Sequence, residues 1–169
     1  MKQKNIILRS VKMIDQEQIL DILTSEKVNQ TYMLPDYEIR TDAVPLFRRL
    51  TDLSEDRSRF VRCIELDAVA IGFINDVDIK DSEIELGYVL HPDYHNQGYM
   101  TRALKAAIKE LFKIGYNHVV CGTFSENRAS IRVMEKAGME LLDKTEEIEY
   151  RNKLHRCIYY GIKNEESTC

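Results

Sequence analysis

Glu83 to Ala107 reads E-I-E-L-G-Y-V-L-H-P-D-Y-H-N-Q-G-Y-M-T-R-A-L-K-A-A. Ile84, Leu86 and Tyr88 alternate with Glu83, Glu85 and Gly87, the period of a strand, whereas Leu104, Ala107, Ile108 and Leu111 recur at helical spacing. Between them lies a polar turn carrying Gly98. A strand, a glycine-bearing turn and a helix N-terminus suit an anion. The first helical turn has about four N–H groups without intrahelical partners, and the aligned peptide dipoles add roughly half a positive charge. Gly98 lets the backbone approach a diphosphate closely, and Thr101 and Arg102 add a hydroxyl and a cation. There is no G-x-G-x-x-G after a strand and no Gly-Lys followed by Ser or Thr, so this is neither a dinucleotide fingerprint nor the usual nucleoside-triphosphate loop. Taken alone, the stretch leaves a plainer alternative, in which Gly98 only relieves a tight connection.

The turn resembles the acyl-CoA pyrophosphate loop of the GNAT superfamily of N-acetyltransferases, in which Arg or Gln, two residues, Gly, one residue, then Gly or Ala follow in order. His95, Gly98 and Met100 occupy those positions here, so only the glycine fits the general pattern. The string Asn96 to Thr101, N-Q-G-Y-M-T, is closer to the branch that includes the ribosomal-protein alanine N-acetyltransferases. Asn127, Ser130, Val133, Lys136 and Gly138 resemble that branch's Asn-x-x-Ser-x-x-Val-x-x-Lys-x-Gly helix, and the order of strands and helices matches over nearly the whole chain. The resemblance implies an α/β fold, with a mixed, strongly bent central sheet flanked by helices and splayed in its middle strands. It implies acetyl-CoA as cosubstrate, no metal, and direct transfer to an amine. Gln97, Gly98, Tyr99, Met100, Thr101 and Arg102 would hold the diphosphate. Val89 and Leu90 would bond the pantetheine arm through their backbone, as an added strand does, and Asn127 through its amide.

At 169 residues, 44% hydrophobic and 31% charged, the chain fits one soluble globular domain, 1–169. A net charge of −4 argues against a general nucleic-acid binder, which needs a basic surplus to displace counterions. Cys63, Cys121, Cys157 and Cys169 show no C-x-x-C spacing, and three of them lie in apolar runs, as expected of reduced, mostly buried thiols in a cytoplasm. The N-terminal apolar run stops at Leu8, too short for a signal peptide, and no segment approaches the ~20 apolar residues of a membrane span. Sequence leaves a homodimer open.

In order, the pattern predicts a strand near Ile6 to Val11 and a helix capped by Asp15 with Ile19, Ile22 and Leu23 on one face. Asn29 to Tyr37 reads as an ordered loop, and a helix follows from about Asp42 to Leu53. In the family this region covers the acceptor site, so Tyr32, Met33 and Tyr37 are either acceptor-site walls or packing residues. Strands at Arg59 to Leu66 and Ala68 to Asp76 form a hairpin at Asp67. After the central helix come a strand at Asn117 to Phe124, a helix over Arg128 to Ala137, and two long strands turning at Arg151 to Lys153. Residues 164–169 read as a frayed polar tail.

Acetyl transfer to an amine needs a neutral amine, a stabilised oxyanion and a tolerable leaving group. An α-amine, with a pKa near 7.7–8.0, is easier to neutralise than a lysine at about 10.4, which favours a protein or peptide N-terminus as acceptor. Glu85, directly or through water, is the candidate base, since it stands where the resembling branch places its acidic residue. The plain reading of Glu85 is a solvated cross-strand partner, and Glu83 competes with it on the same face. Met134 stands where many superfamily members place a tyrosine acid, and methionine cannot donate a proton. Ser130 could bond the departing sulfur, or serve only as a capping or packing residue. Asn127 equally suits a helix cap. His91 and His95 lack a third ligand at zinc-protease spacing, so no metal is assigned. Two other functions stay open: acetylation of a small amine such as a polyamine, amino sugar or amino acid, and a CoA-binding sensor without turnover, for which His95, Met100 and Met134 are the hints.

Overall fold

The computed structural model describes residues 5–165. Its seven strands are β1 (Ile6–Arg9), β2 (Val61–Leu66), β3 (Val69–Lys80), β4 (Glu83–Leu90), β5 (His118–Phe124), β6 (Glu140–Tyr150) and β7 (Lys153–Lys163). The helices are α1 (Gln16–Leu23), α2 (Glu26–Asn29), α3 (Val44–Glu55), α4 (Tyr99–Lys113) and α5 (Arg128–Lys136). The strands form one mixed sheet in the order β1-β2-β3-β4-β5-β7-β6, the α/β architecture expected from sequence. Two compact units divide the chain, Met1–Asn75 with Tyr88–Ala103, and Asp76–Gly87 with Leu104–Cys169.

In the first unit β1 pairs antiparallel with β2, and β2 with β3. Leu66 faces Val69 across Asp67 and Ala68, whose φ of 50° and 67° are the left-handed pair that a two-residue hairpin requires. Ile19, Ile22 and Leu23 of α1 are fully buried and pack with Phe47 of α3, Phe73 of β3 and Val89 of β4. Asp15 does sit at the N-cap of α1, but its side chain does not cap that helix. Its oxygens accept instead from the Lys12 N–H at 2.8 Å and from the Arg9 guanidinium at 2.7 and 2.8 Å. The reason is burial: an ionised carboxylate only 3% exposed takes the strongest available partner, a cation. Tyr32 and Tyr37 pack on this core, Tyr32 donating to Asn75 Oδ1 at 2.6 Å and meeting Phe73 edge-on, while Met33 is exposed.

In the second unit β4 and β5 run parallel, from Glu83 opposite His118 to Leu86 opposite Cys121. As strands they extend further, β4 to Leu90 and β5 to Phe124. β7 then lies antiparallel between β5 and β6, and the β6–β7 hairpin turns at Arg151 and Asn152, both at positive φ. Helices α4 and α5 end alike. Gly115 and Gly138 adopt φ of 110° and 90°, and the next residues, Tyr116 and Met139, donate back to Leu111 and Met134, each at 3.1 Å. These are Schellman stops, which glycine permits at least cost. Cys63, Cys121 and Cys157 are buried and unbridged, as expected, and Cys169 lies outside the described residues. Of the proposed tail, Asn164 donates its N–H to Asn117 O at 2.9 Å, and 166–169 lie outside the described residues. Among the described residues no helix is long and apolar enough to cross a membrane.

Candidate active site

The first unit carries the strand end, the turn and the start of α4. Val89 and Leu90 are 6% and 7% exposed, so their side chains serve the core and only backbone remains for recognition. The backbone here is crowded: a Cβ on Gly72 of β3 would stand 2.3 Å from Val89 O and 3.1 Å from Leu90 Cα. Beyond Leu90 the turn ties itself down. His91 N–H donates to Ile71 O at 2.8 Å, the His95 ring bonds Leu90 O at 2.9 Å, and Gln97 Nε2 donates to Asp93 O at 3.0 Å. The His91 ring accepts from Asp93 N–H, so both histidines are engaged locally.

Asn96 and Gly98 both take left-handed backbone, with φ of 59° and 77°. Gly98 therefore has the structural role considered for it, yet a Cβ there would meet nothing within 4 Å. The turn is therefore open to solvent at Gly98. The Arg102 N–H bonds Gly98 O at 3.2 Å, which leaves the amides of the preceding positions outside the helical ladder at the positive end of the α4 dipole. Met100 is buried at 7%, whereas Tyr99, Thr101 and Arg102 are half-buried, the Arg102 guanidinium lying 5.3 Å from the Tyr99 ring centre. The arrangement can bind an anion.

The second unit carries the titratable groups. Glu83 and Glu85 differ in kind: Glu83 is half exposed and bonds the His118 ring at 2.7 Å, while the Glu85 side chain is only 20% exposed, with Lys144 Nζ at 4.0 Å. Burial pushes the Glu85 carboxyl above the ordinary glutamate value, Lys144 pulls against it, and Glu146, Asp78 and Glu83 add to the rise. A carboxylate of raised proton affinity is suited to accept a proton from an ammonium group. His118 is a partner that sequence reasoning missed; its place opposite Glu83 follows from the β4–β5 register, which spacing alone does not give.

Asn127 is the N-cap of α5, its Oδ1 accepting from the Ser130 N–H at 3.2 Å. The capping alternative thus describes one end of the side chain, and the NH₂ end has its own donors. Ser130 stands half-buried in the first turn of α5. Met134 is fully buried and serves the core.

The Acetyltransferase (GNAT) domain family model matches residues 5–140. The uncharacterized N-acetyltransferase YnaD of Bacillus subtilis (strain 168) is 38% identical over 56 residues, a stretch spanning 32% of this chain and 33% of that relative. Among solved structures, RimL, a ribosomal L7/L12 alpha-N-protein acetyltransferase in complex with coenzyme A, superposes with a TM-score of 0.84 at 18% identity, covering 95% of each chain. Spermidine N-acetyltransferase from Vibrio cholerae, in complex with CoA and spermine, gives 0.78 at 15% identity over 94% of this chain and 95% of that one.

Proposed function

The chain belongs to the acetyltransferase (GNAT) family, and from that premise we propose that it moves an acetyl group from acetyl-CoA directly to a primary amine, with the α-amine of a protein or peptide N-terminus as acceptor. In this reading 1–169 acts as one acetyltransferase domain in a reducing cytoplasm. Gln97, Gly98, Tyr99, Met100, Thr101 and Arg102 receive the diphosphate on free amides and the Arg102 cation, and the backbone of Val89 and Leu90 carries the pantetheine arm. Asn127 adds an amide donor to that arm, and the Ser130 hydroxyl faces the departing thiolate. Glu85 takes the proton from the acceptor.

The observation that carries the reading is the environment of Glu85. Its side chain is only 20% exposed beside Lys144, which suits a proton acceptor, and an α-amine near 7.7–8.0 asks less of any carboxylate base than a lysine amine near 10.4. RimL, a ribosomal L7/L12 alpha-N-protein acetyltransferase, supports the same acceptor class. The spermidine enzyme supports a second reading, transfer to a small amine. Purified protein, acetyl-CoA and a panel of free N-terminal peptides, N-blocked lysine peptides and polyamines separate the two by thiol release and product mass. Acetylation of the free N-terminal peptides at the α-amine is expected. Turnover confined to polyamines would replace the acceptor, and no turnover with any amine would return the CoA-sensor reading.

A further inference from the structure

β6 and β7 pair Leu141 with Tyr160 and next Thr145 with Ile158, so Leu142, Asp143 and Lys144 all stand opposite the single residue Tyr159. A bulge of this kind re-aims a side chain. Here it turns Lys144 back over the sheet, its Nζ 3.9 Å from the centre of the Tyr159 ring. That ring can lie over β5 because Gly122 leaves the space: a Cβ there would come within 2.8 Å of Tyr159 Cε1. The Tyr159 hydroxyl donates to Glu146 Oε2 at 2.9 Å, and Lys144 Nζ stands 3.7 Å from Glu146 Oε1 and 4.0 Å from Glu85 Oε2.

We propose that Lys144, seated on the Tyr159 ring and tethered by Glu146, is a positioning residue that keeps the Glu85 carboxylate ionised. The proposal rests on the reading of Glu85 as the base. The cation reaches β4 from the opposite edge of the β4-β5-β7-β6 half of the sheet by lying along an aromatic face, which attracts cations.

The other groups that bear on Glu85 are Glu83 on its own strand, Asp78 and Lys80 on β3, Cys121 on β5, Cys157 and Tyr159 on β7, and Glu146 beside Lys144 on β6. Asp78 and Lys80 satisfy each other at 3.0 Å, and Glu83 is bonded to His118. Burial raises the proton affinity of Cys121, Cys157 and Tyr159, so they stay neutral near pH 7. Lys144 is then the cation left to offset Glu146 and the burial of Glu85 itself.

The sign follows. Removing the Lys144 cation destabilises ionised Glu85 and raises its pKa; removing the Glu146 anion lowers it. A ¹³C-glutamate titration of the ligand-free protein reads Glu85 directly. Lys144→Gln should move its midpoint up by about 0.5–1 unit, the effect of a unit charge about 4 Å away across solvent-like surroundings, and Lys144→Arg should restore it. Glu146→Gln should move it down. The acidic limb of kcat/KM against pH should shift with the same signs. A merely structural role for Lys144 predicts lost stability without opposed shifts. An unchanged Glu85 midpoint in Lys144→Gln overturns the proposal. If the midpoint moves as stated while Glu85→Gln turns over like wild type, the base assignment fails and the electrostatic coupling stands.

Discussion

Gly72→Ala tests how the strand end proposed to receive the cosubstrate is built. The added Cβ would meet Val89 O at 2.3 Å, Leu90 Cδ1 at 3.0 Å and Leu90 Cα at 3.1 Å. An unstrained carbon-to-oxygen contact lies at roughly 3.3 Å, so the overlap is about 1 Å. A flexible side chain could swing away from it, but two of these three atoms are backbone. β3 and β4 must therefore separate locally, and overpacking of this kind costs about 1–3 kcal/mol, with the upper end expected because backbone has to give. At about 2–4 °C per kcal/mol for a chain of this length, the melting temperature should fall by roughly 6–12 °C. Displacing Val89 and Leu90 should also weaken acetyl-CoA binding, read by calorimetry at a temperature where both proteins are folded. A melting temperature within about 2 °C of wild type would refute the argument that the two strands have no slack here.

Gly98→Ala offers the contrast: with open space around the Cβ but φ at 77°, it should cost only about 1–2 kcal/mol of backbone strain while intruding on the diphosphate path, so unchanged CoA affinity in calorimetry would remove the loop from the binding site. Asn127→Ser retains the α5 cap and should leave the melting temperature nearly unchanged, yet it loses the amide and should weaken CoA by about 1 kcal/mol; equal affinity would reduce Asn127 to a cap. Glu85→Gln should lower kcat by roughly 10- to 10⁴-fold at neutral pH, with a deficit that shrinks as pH nears the pKa of the acceptor, and near-wild-type turnover at pH 7 counts against a base at this position. Asp15 is held below the usual carboxylate range, its burial being outweighed by the Arg9 bonds and the Lys12 N–H. The stability it contributes is therefore present above the unfolded pKa of about 3.9 and lost as pH falls through the lower folded value. Arg9→Ala should cost about 3–5 kcal/mol in urea unfolding at pH 7, and the gap to wild type should narrow in acid.

Much of this architecture can be read from local chemistry. The change of period between Glu83 and Ala107 locates β4 and α4, Gly115 and Gly138 mark the two helix ends, and Asn127 announces the start of α5. Each of those signals acts within a few residues. What sequence could not supply depends on which side chains the fold brings together. Asp15 reads as a cap until Arg9 is seen beside it, and Glu83 cannot be told from Glu85 until the β4–β5 register brings His118 to the former. Lys144 gives no sequence signal at all, because its direction comes from a bulge whose register is set by β7, and because β7 enters between β5 and β6. Tyr32 and Tyr37 read on sequence grounds as either acceptor-site walls or packing residues; both pack, partly buried, on the first unit's core.

The three buried thiols turn this chain into its own stopwatch. Burial pushes Cys63 up to about 12 and raises Cys121 and Cys157 too, so a thiol reagent can modify them only when the surrounding structure opens. Cys63 belongs to the unit containing the α4 start, and Cys121 and Cys157 to the unit containing Glu85. Labelling rates followed site by site, with and without acetyl-CoA, would therefore time the opening of each unit separately in the native state and show which one the cosubstrate holds shut.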